Sequence, residues 1–223
     1  MKNTKKIKSL SVAVLVPANN EERVIAKTLE TILKLVPPKD LFVVDDGSWD
    51  QTQEVAKKYT KNILATSNRG KAYALNSGIK HFKLTKKYEY IFFMDADSMP
   101  KSDFLDKILI HFKNDPKREI MCVVGRVKGS GLNWISKYRQ WEYQISYLIH
   151  KKAQEYLGSI LVTPGCATVY RSFIFDKLEF PSGTLTEDMD FTFLMHRSGF
   201  NKMVLDNKAI VYTLDPPNIK DFF

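Results

Sequence analysis

Long apolar runs are what this sequence most lacks. None approaches the ~20 consecutive residues of a membrane-spanning helix, and the Lys-rich start, residues 1–10, holds no apolar segment of the kind a secretory signal has. The expectation is a cytoplasmic chain that is not itself integral to a membrane. Cysteine is almost as scarce: Cys122 and Cys166 each sit in an apolar stretch without a partner at metal-ligand spacing. That excludes a disulfide framework, and the two read as small buried hydrophobes of a reducing compartment. His81, His111, His150 and His196 show no i, i+4 pairing and no nearby cysteine, so zinc catalysis has no ligand set. Neither a Ser-His-Asp string nor a Gly-rich phosphate loop appears. Internal repeats and low-complexity linkers are also missing.

What is present suits one globular domain. A chain of 223 residues that is 44% hydrophobic and 26% charged buries one large core and has no compositional sign of disorder. Lys and Arg number 34 against 25 Asp and Glu, a net charge of +9, which suits a polyphosphate, an acidic membrane surface or nucleic acid. Nucleic acid fits worst, because the aromatics are not interleaved with Arg as a stacking platform needs.

Apolar, β-branched runs at 12–16, 41–44, 90–94, 121–127 and 204–212 read as strands. Most of the first half between them has helical periodicity, so the chain reads as an α/β fold with a parallel, helix-covered sheet. Ile25, Leu29, Ile32 and Val36 line one helix face, with Asn19 as N-cap, Glu22 three residues on, and Pro37-Pro38 as the stop. Asp50 with Gln53 reads as the cap of a second helix, and further helices are expected over 70–82 and 103–112. Residues 133–156 form one amphipathic helix or two, with Ile135, Tyr138, Trp141, Ile145 and Leu148 at helical spacing among basic residues. Such a helix packs on the sheet or lies in a bilayer interface.

Four segments carry chemistry, each where a strand ends or a helix begins, the place where open α/β sheets bind ligands. In VVDDGSWDQT (43–52) a strand delivers Asp45 and Asp46 into a Gly-containing turn, where a carboxylate accepts from a base N–H or ribose hydroxyls. An ordinary Asp-Gly-Ser turn has the same sequence. In FMDADSMP (93–100) Asp95 and Asp97 leave the strand on one face, and two hard oxygens so placed can hold Mg²⁺ or Mn²⁺ and bridge it to diphosphate oxygens. Thr186, Glu187 and Asp188 open a helix with Phe191, Leu194 and Met195 as its apolar face. Acids there suit the helix dipole and also suit a general base held ionised at a cleft. Arg69, Gly70 and Lys71 open the helix of NRGKAYALNSGI, a helix N-terminus fit for a phosphate.

VPANNEE (16–22), VVDDGS (43–48), NRGKAYALN (68–76), DAD (95–97), TPGCATVYR (163–171) and TED (186–188) stand in an order that resembles the inverting nucleotide-sugar glycosyltransferases of family two, the group of cellulose, chitin, hyaluronan and poly-N-acetylglucosamine synthases. The likeness spans 12–223 and implies a GT-A fold, a Rossmann-like α/β domain with a central, mostly parallel sheet flanked by helices. By that resemblance Pro17, Ala18, Asn20, Glu22, Asp45, Asp46, Lys71 and Asp95 serve the nucleotide, and Asp95 with Asp97 the diphosphate and a Mg²⁺ or Mn²⁺ cofactor. Gly165, Cys166 and Thr186 fall near the acceptor, and Asp188 is the catalytic base with Glu187 beside it. The implied partners are a UDP-sugar donor, a carbohydrate or lipid-linked acceptor and a peripheral contact at the cytoplasmic face of a membrane. Processive relatives continue into a Gln-X-X-Arg-Trp motif and membrane helices, whereas this sequence stops at DPPNIKDFF (215–223) where that motif would begin. The expected organisation is a basic leader, 1–10, and one GT-A domain over 11–223. Two rival readings are a polyprenyl-phosphate sugar transferase and a non-catalytic binding module; TED and TPGCATVYR favour the polysaccharide branch.

Overall fold

The structure, a computed structural model, describes residues 11–183 and 186–214. The expected leader at 1–10 and the 215–223 tail lie outside the described residues. In chain order the elements are β1 (Val12–Ala18), α1 (Ile25–Ile32), β2 (Leu41–Asp45), α2 (Thr52–Ala56), β3 (Ile63–Ala65), α3 (Lys71–Phe82) and α4 (Leu84–Lys87). Then come β4 (Tyr90–Phe93), β5 (Ser98–Pro100), α5 (Phe104–Lys113), β6 (Cys122–Gly129), α6 (Trp134–Ile145), α7 (Lys151–Tyr156), β7 (Thr168–Arg171), α8 (Glu187–Arg197) and β8 (Met203–Thr213).

The strands form one eight-stranded sheet in the order β3-β2-β1-β4-β7-β6-β8-β5. Only β7 and β5 run against their neighbours; the rest share one direction, so the mostly parallel sheet expected from the sequence is present. β1 is buried along its whole length, which is why it reads as an unbroken apolar run: both of its faces are covered. It lies between β2 and β4, and its ladder with β4 stops at Leu15 while that with β2 continues to Ala18. At Pro17 the β4 side is therefore unpaired, so a residue without an N–H costs that ladder nothing. The divergence opens a crevice at the carboxyl ends of the strands, the usual ligand position in such sheets. Helix α3 packs close to the sheet: a Cβ on Gly78 would lie 2.7 Å from a Val44 methyl.

Several local expectations shift. The apolar face of α1 is buried as read, but Val24 occupies its N-cap with no side-chain bond. Asn19 instead donates its Nδ2 to the Asp46 carbonyl at 2.6 Å, because the loop after β1 is stitched to the loop after β2 before the helix begins. Asp50 accepts from Thr52 N at 2.9 Å, with Gln51 as the formal cap of the short α2. Asn133 caps α6 by accepting from Ser136 N at 2.7 Å, and a π-helical turn, Ser146–His150, joins α6 to α7. β3, β5 and β7 were not expected; β3 and β5 have three residues each, too few to show a period, and β7 lies within a stretch read for chemistry.

β7 seats α8. Phe191 of α8 is fully buried and stacks on Phe175 at 5.3 Å and Phe180 at 4.3 Å, with Tyr170 of β7 edge-on at 5.8 Å. β6 and β8 pair through a register break between Gly125 and Arg126, where β8 loops out residues 207–209, a bulge that re-aims the strand beyond it.

Candidate active site

The crevice beside β1 has a volume of about 370 Å³ and is walled by Pro17, Ala18 and Glu21 on one side and Asp95, Ala96 and Asp97 on another, with Asp46, Gly70 and Lys71 closing it. Each wall is a loop at the carboxyl end of a strand or the start of α3. Asp46 builds its floor: its carboxylate accepts from Thr66 Oγ1 at 2.7 Å, Arg69 N at 3.0 Å and Gly70 N at 2.7 Å. The loop before α3 is thereby held in a positive-φ turn at Asn68 and Gly70. Gly47 lets that loop approach, since a Cβ there would sit 2.7 Å from Asn68 N.

Lys71 is the centre of charge. Its Nζ lies 2.7 Å from Asp95 Oδ1 and 3.0 Å from Glu187 Oε1. Burial alone would lower its pKa, but the two carboxylates outweigh that and hold it above its ordinary value. A Cβ on Gly165 would lie 3.5 Å from the same Nζ. Residues 71, 95, 165 and 187 are thus drawn to one point, and Asp188 follows Glu187 in the first turn of α8.

The acids around that cation outnumber it. Burial, then the charge of Asp95, raises the pKa of Asp97. Burial, then Glu187, raises that of Asp188, opposed by Lys71 and by the Met189 N–H that its Oδ1 accepts at 2.8 Å. Glu21 is raised by burial and by Asp97, Asp50 and Asp95. Carboxylates forced together against desolvation fit a divalent cation, which would relieve the repulsion. Among the described residues no three His, Cys, Asp or Glu side chains converge as a complete metal cage. Asp95 and Asp97 fit instead the way Mg²⁺ is commonly held, by one or two carboxylates with substrate phosphates and water completing the shell.

Other sequence-selected residues lie nearby in supporting positions. Asp45 is buried and accepts from Ser48 N at 3.3 Å rather than lining the crevice. Asn20 and Glu22 lace the first two loops: Asn20 N donates to Ser48 Oγ at 2.9 Å, and Glu22 accepts from Gln51 N at 3.0 Å. Cys166 is buried, and burial, then Asp95, pushes its thiol up, so it is a packing group beside the acids, not a thiolate. Thr186 is exposed at the α8 N-cap. Glu21 was missed by sequence reasoning, although it stands within VPANNEE; its neighbour Glu22 carries the same charge, and nothing in the spacing says which of the two turns inward. Buried hydroxyls underpin α8: Tyr170 OH donates to Thr163 Oγ1 at 2.8 Å, Thr163 N donates to Thr192 Oγ1 at 3.0 Å, and Thr192 Oγ1 donates to the Asp188 carbonyl at 2.6 Å.

The model of the family described as Glycosyl transferase family 2 matches residues 13–179. A poly-β-1,6-N-acetyl-D-glucosamine synthase of Staphylococcus epidermidis is 27% identical over 215 residues, covering 93% of this chain and 51% of the relative. The Staphylococcus aureus synthase of that description is 28% identical with the same coverage. The chain spans about half the length of these curated relatives. Among solved structures, a mannosyltransferase of Pyrobaculum calidifontis in complex with GDP-Man and Mn²⁺ superposes with a TM-score of 0.72 at 19% identity, covering 94% of this chain and 58% of that one. A Mycobacterium tuberculosis glucosyl-3-phosphoglycerate synthase with Mg²⁺ and UDP gives 0.66 at 18% identity over 94% of this chain and 73% of that one. S. aureus TarS with UDP-GlcNAc gives 0.65 at 19% identity over 96% and 61%. The shared architecture is the GT-A fold.

Proposed function

From the premise that the chain belongs to glycosyl transferase family 2, we propose that it transfers a sugar from a UDP-sugar to an acceptor hydroxyl with inversion, in the synthesis of a β-linked polysaccharide. The observation that carries this reading is the double ion pair of Lys71 with Asp95 and Glu187. It joins the crevice where a nucleotide would bind to the helix start where a base would stand.

Asp95 and Asp97 would hold Mg²⁺ or Mn²⁺, which when bound neutralises a departing diphosphate. Lys71, at the N-terminus of α3, adds positive charge on the same side. Asp188 is the candidate general base. It takes the acceptor proton as the hydroxyl attacks the anomeric carbon opposite the leaving UDP, so an α-linked donor gives a β-linked product. Pro17, Ala18, Asn20, Glu22, Asp45 and Asp46 shape the nucleotide side, and Gly165, Cys166 and Thr186 the acceptor side.

No helix among the described residues is long and apolar enough to cross a membrane. The outward face of α6 and α7 nevertheless exposes Trp134, Tyr138, Trp141 and Tyr156, the side chains that favour a bilayer interface. A peripheral contact at the cytoplasmic face of a membrane would lie there.

The test is a panel of UDP-sugars screened for Mn²⁺-dependent thermal shift and for UDP release. A transferase shows both with at least one sugar; a binding module releases no UDP, and that result would overturn the reading.

A further inference from the structure

A second cleft, between β6 and α6, gathers positive charge. It has a volume of about 170 Å³ and is lined by Arg126, Lys128, Gly129, Gln140, Tyr143 and Gln144. No carboxylate stands among them. Arg126 and Lys128 are two residues apart on β6, just past the register break at Gly125, and so project from one face of the strand. Lys101, which follows β5, adds a third positive charge. Burial, then Arg126 and Lys101, presses the Lys128 pKa below its ordinary value. None of these three cations takes part in an ion pair among the described residues. The Nε of Arg126 is buried and has no acceptor among them. A buried donor left without an acceptor is costly.

The position of the cleft ties it to the acceptor side of the candidate active site. Tyr143 on its wall is one helical turn from Tyr147, which is buried. The Tyr147 phenol meets the backbone of Val127, and burial, then the nearness of Cys166 and Asp188, keeps it protonated. Strand β6 and the helical segment 134–150 therefore carry both the surroundings of Asp188 and the cationic cleft.

We propose that this cleft is a phosphate-binding subsite which, in the transfer reaction, holds a phosphate group of the acceptor. A phosphate offers several acceptor oxygens at once to a planar guanidinium, an ammonium and the Gln144 carboxamide, beside Gln140, whose Nε2 already donates to the Gly131 carbonyl at 2.7 Å. The role in transfer rests on the transferase reading above; the capacity to bind phosphate does not.

The probes are octyl phosphate below its micellar concentration, neutral octyl glucoside, inorganic phosphate and phosphatidylglycerol vesicles, read by tryptophan emission in a Trp49→Phe background that leaves Trp134 and Trp141 on α6. Octyl phosphate is expected to give a saturable change that octyl glucoside does not. In the Arg126→Gln/Lys128→Gln double variant its affinity falls at least tenfold, while calorimetric binding of UDP with Mn²⁺ is unchanged. Lys128→Gln alone is expected to weaken binding by less, which keeps the test valid if the double variant fails to fold. Displacement by inorganic phosphate supports the subsite with a water-soluble phosphoester as its source, and displacement by vesicles alone supports it with a lipid headgroup. An equal response to octyl glucoside, or undiminished binding in the folded variants, overturns the proposal. Loss of UDP binding in the unaltered protein would sink the transferase reading and leave the subsite standing.

Discussion

Asp188 lies between a repelling carboxylate and an attracting ammonium, and its behaviour in acid follows from the balance. Burial and Glu187 raise its pKa, while Lys71 pulls it down. If it is the base, the rate falls as the pH drops through a midpoint above the ordinary carboxylate range. Lys71→Met, assayed at saturating donor, is expected to move that midpoint higher still, and a pH–rate profile checks the direction. Asp188→Asn should abolish transfer yet leave calorimetric donor affinity in place; normal turnover by that variant would exclude it as the base. The sign is different for stability at Asp97. Its folded pKa is raised, so the stability it contributes is present below the unfolded pKa and is lost as pH rises through the folded one. Asp97→Asn is therefore expected to raise the melting temperature of the metal-free protein at neutral pH and to remove its Mn²⁺-dependent rise in UDP affinity. At Asp115 the order reverses. Burial is outweighed by the N–H groups of Ile120 and Glu119 and by Arg171 at 2.9 Å, so its pKa is lowered. Its contribution holds above the unfolded pKa and fades as pH falls through the folded one. Asp115→Ala, which strands a buried guanidinium, is expected to cost about 3 kcal/mol by urea unfolding.

Individual elements show why some of this was legible in the sequence and some was not. α3 and α5 were bounded within a residue, because Gly70 and the acids near 103 mark their starts and the apolar spacing inside them is regular. The start of α1 was misplaced because Asn19 has a stronger use: with Asn20 it fastens two loops, which no local pattern reveals. Asp45 and Asp46 are adjacent in sequence, yet one carboxylate closes its own turn and the other orders a loop twenty or more residues away. That division depends on which side of β2 each faces after the strand ends. The convergence of 95 and 187 on Lys71 was readable only as an order of motifs; the antiparallel insertion of β7 beside β4, which turns α8 toward the crevice, had no signal of its own. The seating of α8 yields its own test. Phe191→Ala should cost about 3 to 5 kcal/mol in urea unfolding, by emptying a site packed by Phe175 and Phe180.

For the molecule as a whole, the sheet divides labour across its width. The parallel set β3-β2-β1-β4 supplies the crevice, while the half containing β7, β6 and β8 supplies α8, the exposed aromatic helix face and the cationic cleft. Lys71 is a crosslink between these halves: a residue of the first holds an acid of the second as well as one of its own. Because a single ammonium sits between Asp95 and Glu187, a divalent cation taken up at Asp95 and Asp97 would not enter neutral space but would meet an incumbent of the same sign. Occupation would then exchange one positive charge for another and leave the lysine to a new anionic partner. The protein thus carries, before any visitor arrives, an internal positive charge that ties the start of α8 to the end of β4.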